Sequence, residues 1–336
     1  MVFVKYTENS ELEEEMNPYL KIRQLREKGI YKFSHGHRTL NHFHDQLMKK
    51  TVQVAIEKVE SEFGPVPALF AFFTMGSAAR SEQSIWSDQD HGLIFAGNEQ
   101  EKPYFLQLGT EISKGLHEVG YEYCDGNVMA SNMKWCHSIG GWEKQLTEWL
   151  DEASWESLRY FTTFFDSRVL LGEEGYLRSL KETSISRLNE ESFLYSRLLE
   201  NISHVKKGIG VLGQFLPDIY GKKPGHLNSK DTIFFPYVNS IRLLALKEAI
   251  LDPSTINRFE KLPLHLSHIK SYQSHFERLL ELRLLLKRNA TNYEDVHYVK
   301  IDSLSKFEKQ ELKQIMKKGY KLFNETKEII LKGCRS

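Results

Sequence analysis

The 336-residue sequence is poor in cysteine, balanced in charge and without a long apolar run, and each shortage removes a class of function. Its three cysteines, Cys124, Cys136 and Cys334, form no C-x-x-C pair and leave an odd thiol. That usage predicts a reducing compartment, the cytoplasm, and no disulfide framework. Lys and Arg total 45 and Asp and Glu total 45, giving a formal charge of 0. No overall field therefore draws the chain onto nucleic acid or anionic lipid, and neither is an expected partner. The densest apolar run, residues 68–73, is far too short to span a bilayer. The first residues, MVFVKYTENSELEEEMN, lack a basic segment followed by an apolar one, so neither export nor membrane insertion is expected. Internal repeats and low-complexity linkers are also missing.

What is present is an ordinary globular composition: 40% hydrophobic, 27% charged and 12% aromatic residues, long enough for about two domains. Residues 1–35, polar and opened by Glu11, Glu13, Glu14 and Glu15, are expected to form short helices or a mobile arm. Helical spacing then runs from about Leu40 to Val59 and stops at Gly64-Pro65. The dense run from Ala68 to Thr74 predicts a buried strand, followed by a turn at Gly76-Ser77 and a short helix from Ala78 to Ser84. A second strand is expected over Asp90 to Phe95, a helix over Lys102 to Val119, a third strand over Tyr121 to Ala130 and an aromatic helix from Ile139 to Leu150. This alternation predicts an α/β (α+β) domain with a small mixed sheet over residues 36–175. Beyond Tyr176 helical stripes dominate: Leu194 to Ile209, a helix opened by Pro236, Ile269 to Leu280, and a last one capped by Ser305 and Glu308. Residues 176–336 are therefore expected to be an all-α helical bundle.

The chemistry is concentrated in MGSAARSEQSIWSDQDHGLIF, residues 75–95. On a strand, side chains two apart share a face, so Asp88 and Asp90 project together and Gln89 points away. Two such carboxylates repel unless cations lie between them, and a divalent pair about 3.5 to 4 Å apart would use that charge. Mg²⁺ in turn favours sharing a few carboxylates with substrate phosphates, which points to a nucleoside triphosphate. Gly76 permits close backbone approach, Ser77 is placed to cap the next helix, and Arg80, one turn on, carries a planar fork suited to phosphate oxygens. Either half alone is weak, since Gly-Ser turns and D-x-D pairs are common; both in one strand-turn-helix-strand setting are much rarer.

These residues, GS-x-x-R-x-E-Q followed by S-D-Q-D and an apolar strand, resemble the polymerase β-type nucleotidyltransferase superfamily. Within it the sequence is similar to an uncharacterised nucleotidyltransferase family often found behind paired CBS domains, and to the catalytic domains of PII uridylyltransferase and glutamine synthetase adenylyltransferase. The likeness continues through Cys124 to Ala130, Trp135, Trp142, Trp149, Phe164 to Arg168 and Leu171-Gly172, and more loosely through Lys230 to Leu246. Ala79 stands where that family commonly has Gly, and Gln89 stands where the superfamily usually has an apolar residue but matches the closer family. The resemblance implies Mg²⁺ (or Mn²⁺) held by Asp88, Asp90 and a third carboxylate at Asp125, with Gly76, Ser77 and Arg80 holding the phosphates of ATP or UTP. Asp125-Gly126 also reads as a turn dipeptide, and Asp166 is a backup whose simpler role is an ion pair or helix cap.

The implied activity is Mg-dependent transfer of a nucleoside monophosphate to a hydroxyl of a protein or small-molecule acceptor, such as a regulatory protein in signalling. The alternative is a catalytically silent nucleotide-binding module acting through a protein partner. The histidines at 35, 37, 42 and 44 suit a solvated or partly packed helix start better than a metal site. Lys206, Lys207 and Lys230 are candidates to meet the triphosphate or base, with surface lysines as the plainer reading, and Trp135, Trp142 and Trp149 are read as core and not as a base-stacking platform.

Overall fold

The computed structural model describes residues 17–220, 223–288 and 290–333. The acidic cluster at Glu11 to Glu15 and Cys334 lie outside them. The segment expected as an arm carries a 16-residue helix, α1 (Pro18–Phe33), started by Asn17, whose side chain accepts from the Tyr19 N–H, with Pro18 in the first turn. It packs on α2 (His37–Phe63) and on α4 (Lys102–Val119), and α2 ends at Gly64 with φ +86°.

Strand β1 (Phe70–Met75) is followed by the single turn α3 (Gly76–Ala79), then by the short β2 (Asp88–Gln89) and β3 (His91–Phe95). Helix α4 (Lys102–Val119) has the predicted bounds, closed by the left-handed Gly120. Next come β4 (Glu122–Tyr123), β5 (Cys136–Ser138), α5 (Ile139–Glu152), α6 (Trp155–Phe165) and β6 (Ser167–Gly172). The main sheet has the order β5-β3-β1-β6 and is mixed: β1 is antiparallel to β3 and β6, and β3 is parallel to β5. Beyond it run α7 (Glu174–Glu190), α8 (Phe193–Asn201), β7 (His226–Asn228), α9 (Phe235–Lys247), α10 (Thr255–Lys261), α11 (Ser267–Lys270), α12 (Gln273–Lys287), β8 (Tyr298–Lys300) and α13 (Lys306–Gly333).

Several expectations need correction. The third strand shrinks to β4, because Asp125-Gly126 turns the chain and Asn127 sits at φ +54°. The helix expected to Ser84 ends at Ala79, with Ser81 at φ +59°. Strand β6, not anticipated, leaves α6 directly. The stripe from Leu194 to Ile209 is helical only to Asn201, and the C-terminal half also holds the antiparallel ribbon β7/β8. The predicted capping box is present: the Ser305 N–H donates to Glu308 and the Glu308 N–H to Ser305 Oγ, at 2.8 and 3.2 Å.

Alternation along β1 and β3 assigns each face of the sheet to its own core. Phe72, Leu93 and Phe95 pack with α1, α2 and α4. Phe73, Met75 and Ile94 join Trp135, Trp142, Trp149, Phe164 and Phe165 in a core that runs without a break to Leu322 and Ile330. The tryptophans are core, as expected, with Trp142 donating its indole N–H to the Leu93 carbonyl at 2.8 Å.

Lys181 on α7 is buried, donating to the carbonyls of Ser167 (2.6 Å) and Leu251 (3.3 Å). Burial, then the neighbouring Arg258, pushes its pKa down from 10.5 to about 7. Between those values the unfolded chain holds a proton that the folded one lacks, so this lysine's contribution to stability rises with pH. The stability of the native protein relative to Lys181→Met should therefore climb from pH 7 to pH 9.5, by at most about 1.4 kcal/mol per pH unit. Urea unfolding at the two values measures it; a flat difference would mean that Lys181 stays charged in the fold.

Candidate active site

The site begins where β1 runs out. Met75, not Ser77, precedes α3, and its N–H donates to the Asp90 carbonyl at 2.8 Å. This corrects the expected Ser77 cap. Gly76 has φ +56°, and a Cβ there would overlap Asp90 Oδ2. Glycine is thus required twice, by backbone conformation and by the approach of the carboxylate.

Opposite lies the acidic pair. Asp88 is on β2, parallel to β4 with Asp88 level with Glu122, and Asp90 follows at the break before β3. Gln89 between them is wholly buried and points inward: its amide N–H groups donate to the carbonyls of Ser113 (3.1 Å) and Tyr121 (3.3 Å). Its Oε1 lies 2.9 Å from His91 Nε2, while His91 Nδ1 accepts the Ala130 N–H at 3.2 Å. His91 is therefore neutral with its proton on Nε2, in keeping with burial that pushes its pKa down to about 3. This chain of bonds clamps the segment on its inner side and turns both aspartates out. Gln89→Leu should destabilise the protein by about 1–3 kcal/mol, because carbonyls and an imidazole N–H lose a buried partner. It should also weaken Mn²⁺ binding measured by calorimetry; unchanged binding would show that the clamp does not position the pair.

Ligand atoms of Asp88, Asp90 and Cys124 lie within 4.8 Å of one another, the one such group among the described residues. Burial, then the charge of Asp88, pushes the Asp90 pKa up to about 7. Burial and then Asp90 raise the Cys124 pKa as well, so it stays a thiol within hydrogen-bonding reach of Asp90. The donor set is thus two hard carboxylates with a protonated sulfur beside them. It fits a hard cation that completes its shell with phosphate oxygens, and not a thiolate-bound metal. Asp125 is exposed on its turn and lines the same cavity, outside that close group.

The cavity, about 560 Å³, falls in the range of small-molecule sites and is walled by both halves of the chain. Gly76, Ser77, Asp88 and Asp90 line it together with Lys230, Arg242, Arg283 and Tyr293 from the C-terminal half. Arg80 also lines it, but from the end of the α3 turn, where it donates to Glu82 (2.7 Å) and Asp166 (2.9 Å). Asp166 is wholly buried and also receives Arg242 (2.5 Å) and Arg258 (2.6 Å). Burial alone would raise its pKa, yet Arg242, Arg258 and Arg80 together hold it far below the usual carboxylate range. Asp166 therefore has the ion-pair role expected of it. Glu82 likewise joins the two halves: its carboxylate accepts from Thr255 Oγ1 (2.6 Å) and its carbonyl from Arg283 (2.8 Å). Arg80, Arg242, Arg283 and Lys230 against Asp166 and Glu82 leave this part of the lining positive, with the buried Arg258 behind it.

Arg242, Arg283 and Tyr293, which line the cavity, and Arg258, buried on Asp166, were not found by sequence reasoning; no motif marks them, and only the fold brings them together. Among the histidines, His44 is a buried strut between Tyr121 Oη and the Ser84 carbonyl, both at 2.9 Å, and the four do not converge. Lys206 pairs with Asp218 and Lys207 lies over Tyr320, so neither is placed in the cavity, whereas Lys230 is. No helix among the described residues is long and apolar enough to cross a membrane.

Comparison with known families finds two matches. Residues 21–156 match the model described as "Putative nucleotidyltransferase DUF294", and residues 192–328 match the one described as "Putative nucleotidyltransferase substrate binding domain". No curated protein matches the chain.

Proposed function

We propose that this chain, of which residues 21–156 and 192–328 match the two domain models of a nucleotidyltransferase family, transfers a nucleoside monophosphate from ATP or UTP to a hydroxyl acceptor with Mg²⁺ or Mn²⁺. The carrying observation is the convergence of Asp88 and Asp90 in a cavity that Arg80, Arg242 and Arg283 also line. In this reading the two aspartates hold the divalent ions, and Asp125 at the rim is the third carboxylate. Bound there, the ions would neutralise charge building on the α-phosphoryl group.

Gly76 and Ser77 line the floor on which the triphosphate rests. Lys230 and Arg242, with Arg80 behind them, supply positive charge for the leaving pyrophosphate, and preorganised charge of this kind needs no rearrangement during the reaction. The neutral thiol of Cys124 keeps a donor on Asp90 without adding a third negative charge. The acceptor belongs to signalling if it is a regulatory protein.

The test is incubation of the full chain with α-labelled triphosphates, Mg²⁺ or Mn²⁺ and cell extract. Labelled acceptor is expected; nucleotide binding without any labelled product would instead establish a silent regulatory module.

A further inference from the structure

Transfer to a hydroxyl needs an oxygen at the carboxylates, and the fold supplies one. Tyr293 opens the turn Glu294–His297 between α12 and β8, in the C-terminal half, yet it lines the same cavity as Asp88 and Asp90, where burial and then the charge of Asp88 raise the pKa of its hydroxyl. The ring is half-buried in the wall of the cavity and stands edge-on to His297 with centroids 4.7 Å apart. Its segment is pinned on both sides. The Trp86 indole donates to the Ala290 carbonyl at 2.8 Å, and Asp295 accepts from the Thr291 N–H (3.3 Å) and hydroxyl (3.1 Å). A phenol is thus fixed against the residues that would hold the metal, where an attacking hydroxyl belongs.

We propose that Tyr293 is itself an acceptor, and that the chain attaches a nucleoside monophosphate to its own side chain. This rests on the nucleotidyltransferase reading above. Tyr293 Oη forms a bond to the α-phosphorus while the bond from that phosphorus to the bridging oxygen of the β-phosphate breaks. Pyrophosphate leaves with the electron pair, and the phenolic proton is released to solvent. The product is a tyrosyl phosphodiester.

The experiment incubates the full chain alone with each α-labelled triphosphate and Mn²⁺, followed by peptide mass spectrometry. One nucleoside monophosphate is expected on the peptide carrying Tyr293, at a rate unchanged by tenfold dilution of the protein. Tyr293→Phe, its fold checked by melting temperature, should take up at least tenfold less label. Equal labelling of Tyr293→Phe, or label mapped to another residue, would overturn the proposal. A rate that falls on dilution would make a second copy the donor and overturn the intramolecular step. An unlabelled chain that still labels acceptors in cell extract would overturn self-transfer and leave the proposed function standing; no label anywhere would remove both.

Discussion

Asp88→Ala and Asp90→Ala are each expected to lower metal-dependent nucleotide transfer by about a thousandfold or more, since losing several kcal/mol of charge stabilisation costs a decade for every 1.4 kcal/mol. The fold should survive, because neither side chain supports the core and their close approach is a repulsion that the native state tolerates. Asp90 shows this most clearly: burial and the neighbouring Asp88 hold its carboxyl well above the usual range. Removing one partner relieves that conflict, so Asp88→Ala should melt no lower than the native protein while losing Mn²⁺ binding. Transfer by either variant at the native rate would place the metal elsewhere and end the assignment.

Asp166→Asn should have the largest effect on stability, a loss of about 3–5 kcal/mol, because an amide in its place leaves buried guanidiniums without their counter-charge. Arg258 is most affected: it is wholly buried, its pKa already lowered by that burial, and Asp166 is its carboxylate partner. Urea unfolding measures the loss. The double variant Asp166→Asn, Arg258→Met should be less destabilised than the sum of the two single changes, since the second removes the stranded charge. Strict additivity would mean that the two groups do not share an ion pair.

What could be read from the sequence was local. Helix α4 is bounded by an apolar period and a glycine, and the acidic pair by a two-residue spacing, so both are legible within a short window. The same window shows why Asp125 was ambiguous: strand and turn signals overlap at Asp125-Gly126, and the turn prevails. Strand β6 escaped because it follows α6 without a loop, and its apolar residues, Val169 to Leu171, extend an aromatic helix as naturally as they start a strand. The arginines around Asp166 were out of reach for a different reason. Arg80 and Arg258 stand 86 and 92 residues from Asp166, and their meeting depends on how one half of the chain seats on the other. Nothing in the neighbourhood of Arg258 or Tyr293 distinguishes it from an ordinary helical or surface residue.

The core beneath the sheet, shared from Phe73 to Ile330, means that the chain has no catalytic half that could be excised and kept. A fragment ending near residue 175 would present Trp149, Phe164 and Phe165 to water and carry Asp166 without two of its three arginines. Such a piece should aggregate, and the intact protein should unfold in one calorimetric transition. Heredity feels the same constraint: insertions and fissions between the halves are tolerated only where they leave this seam closed.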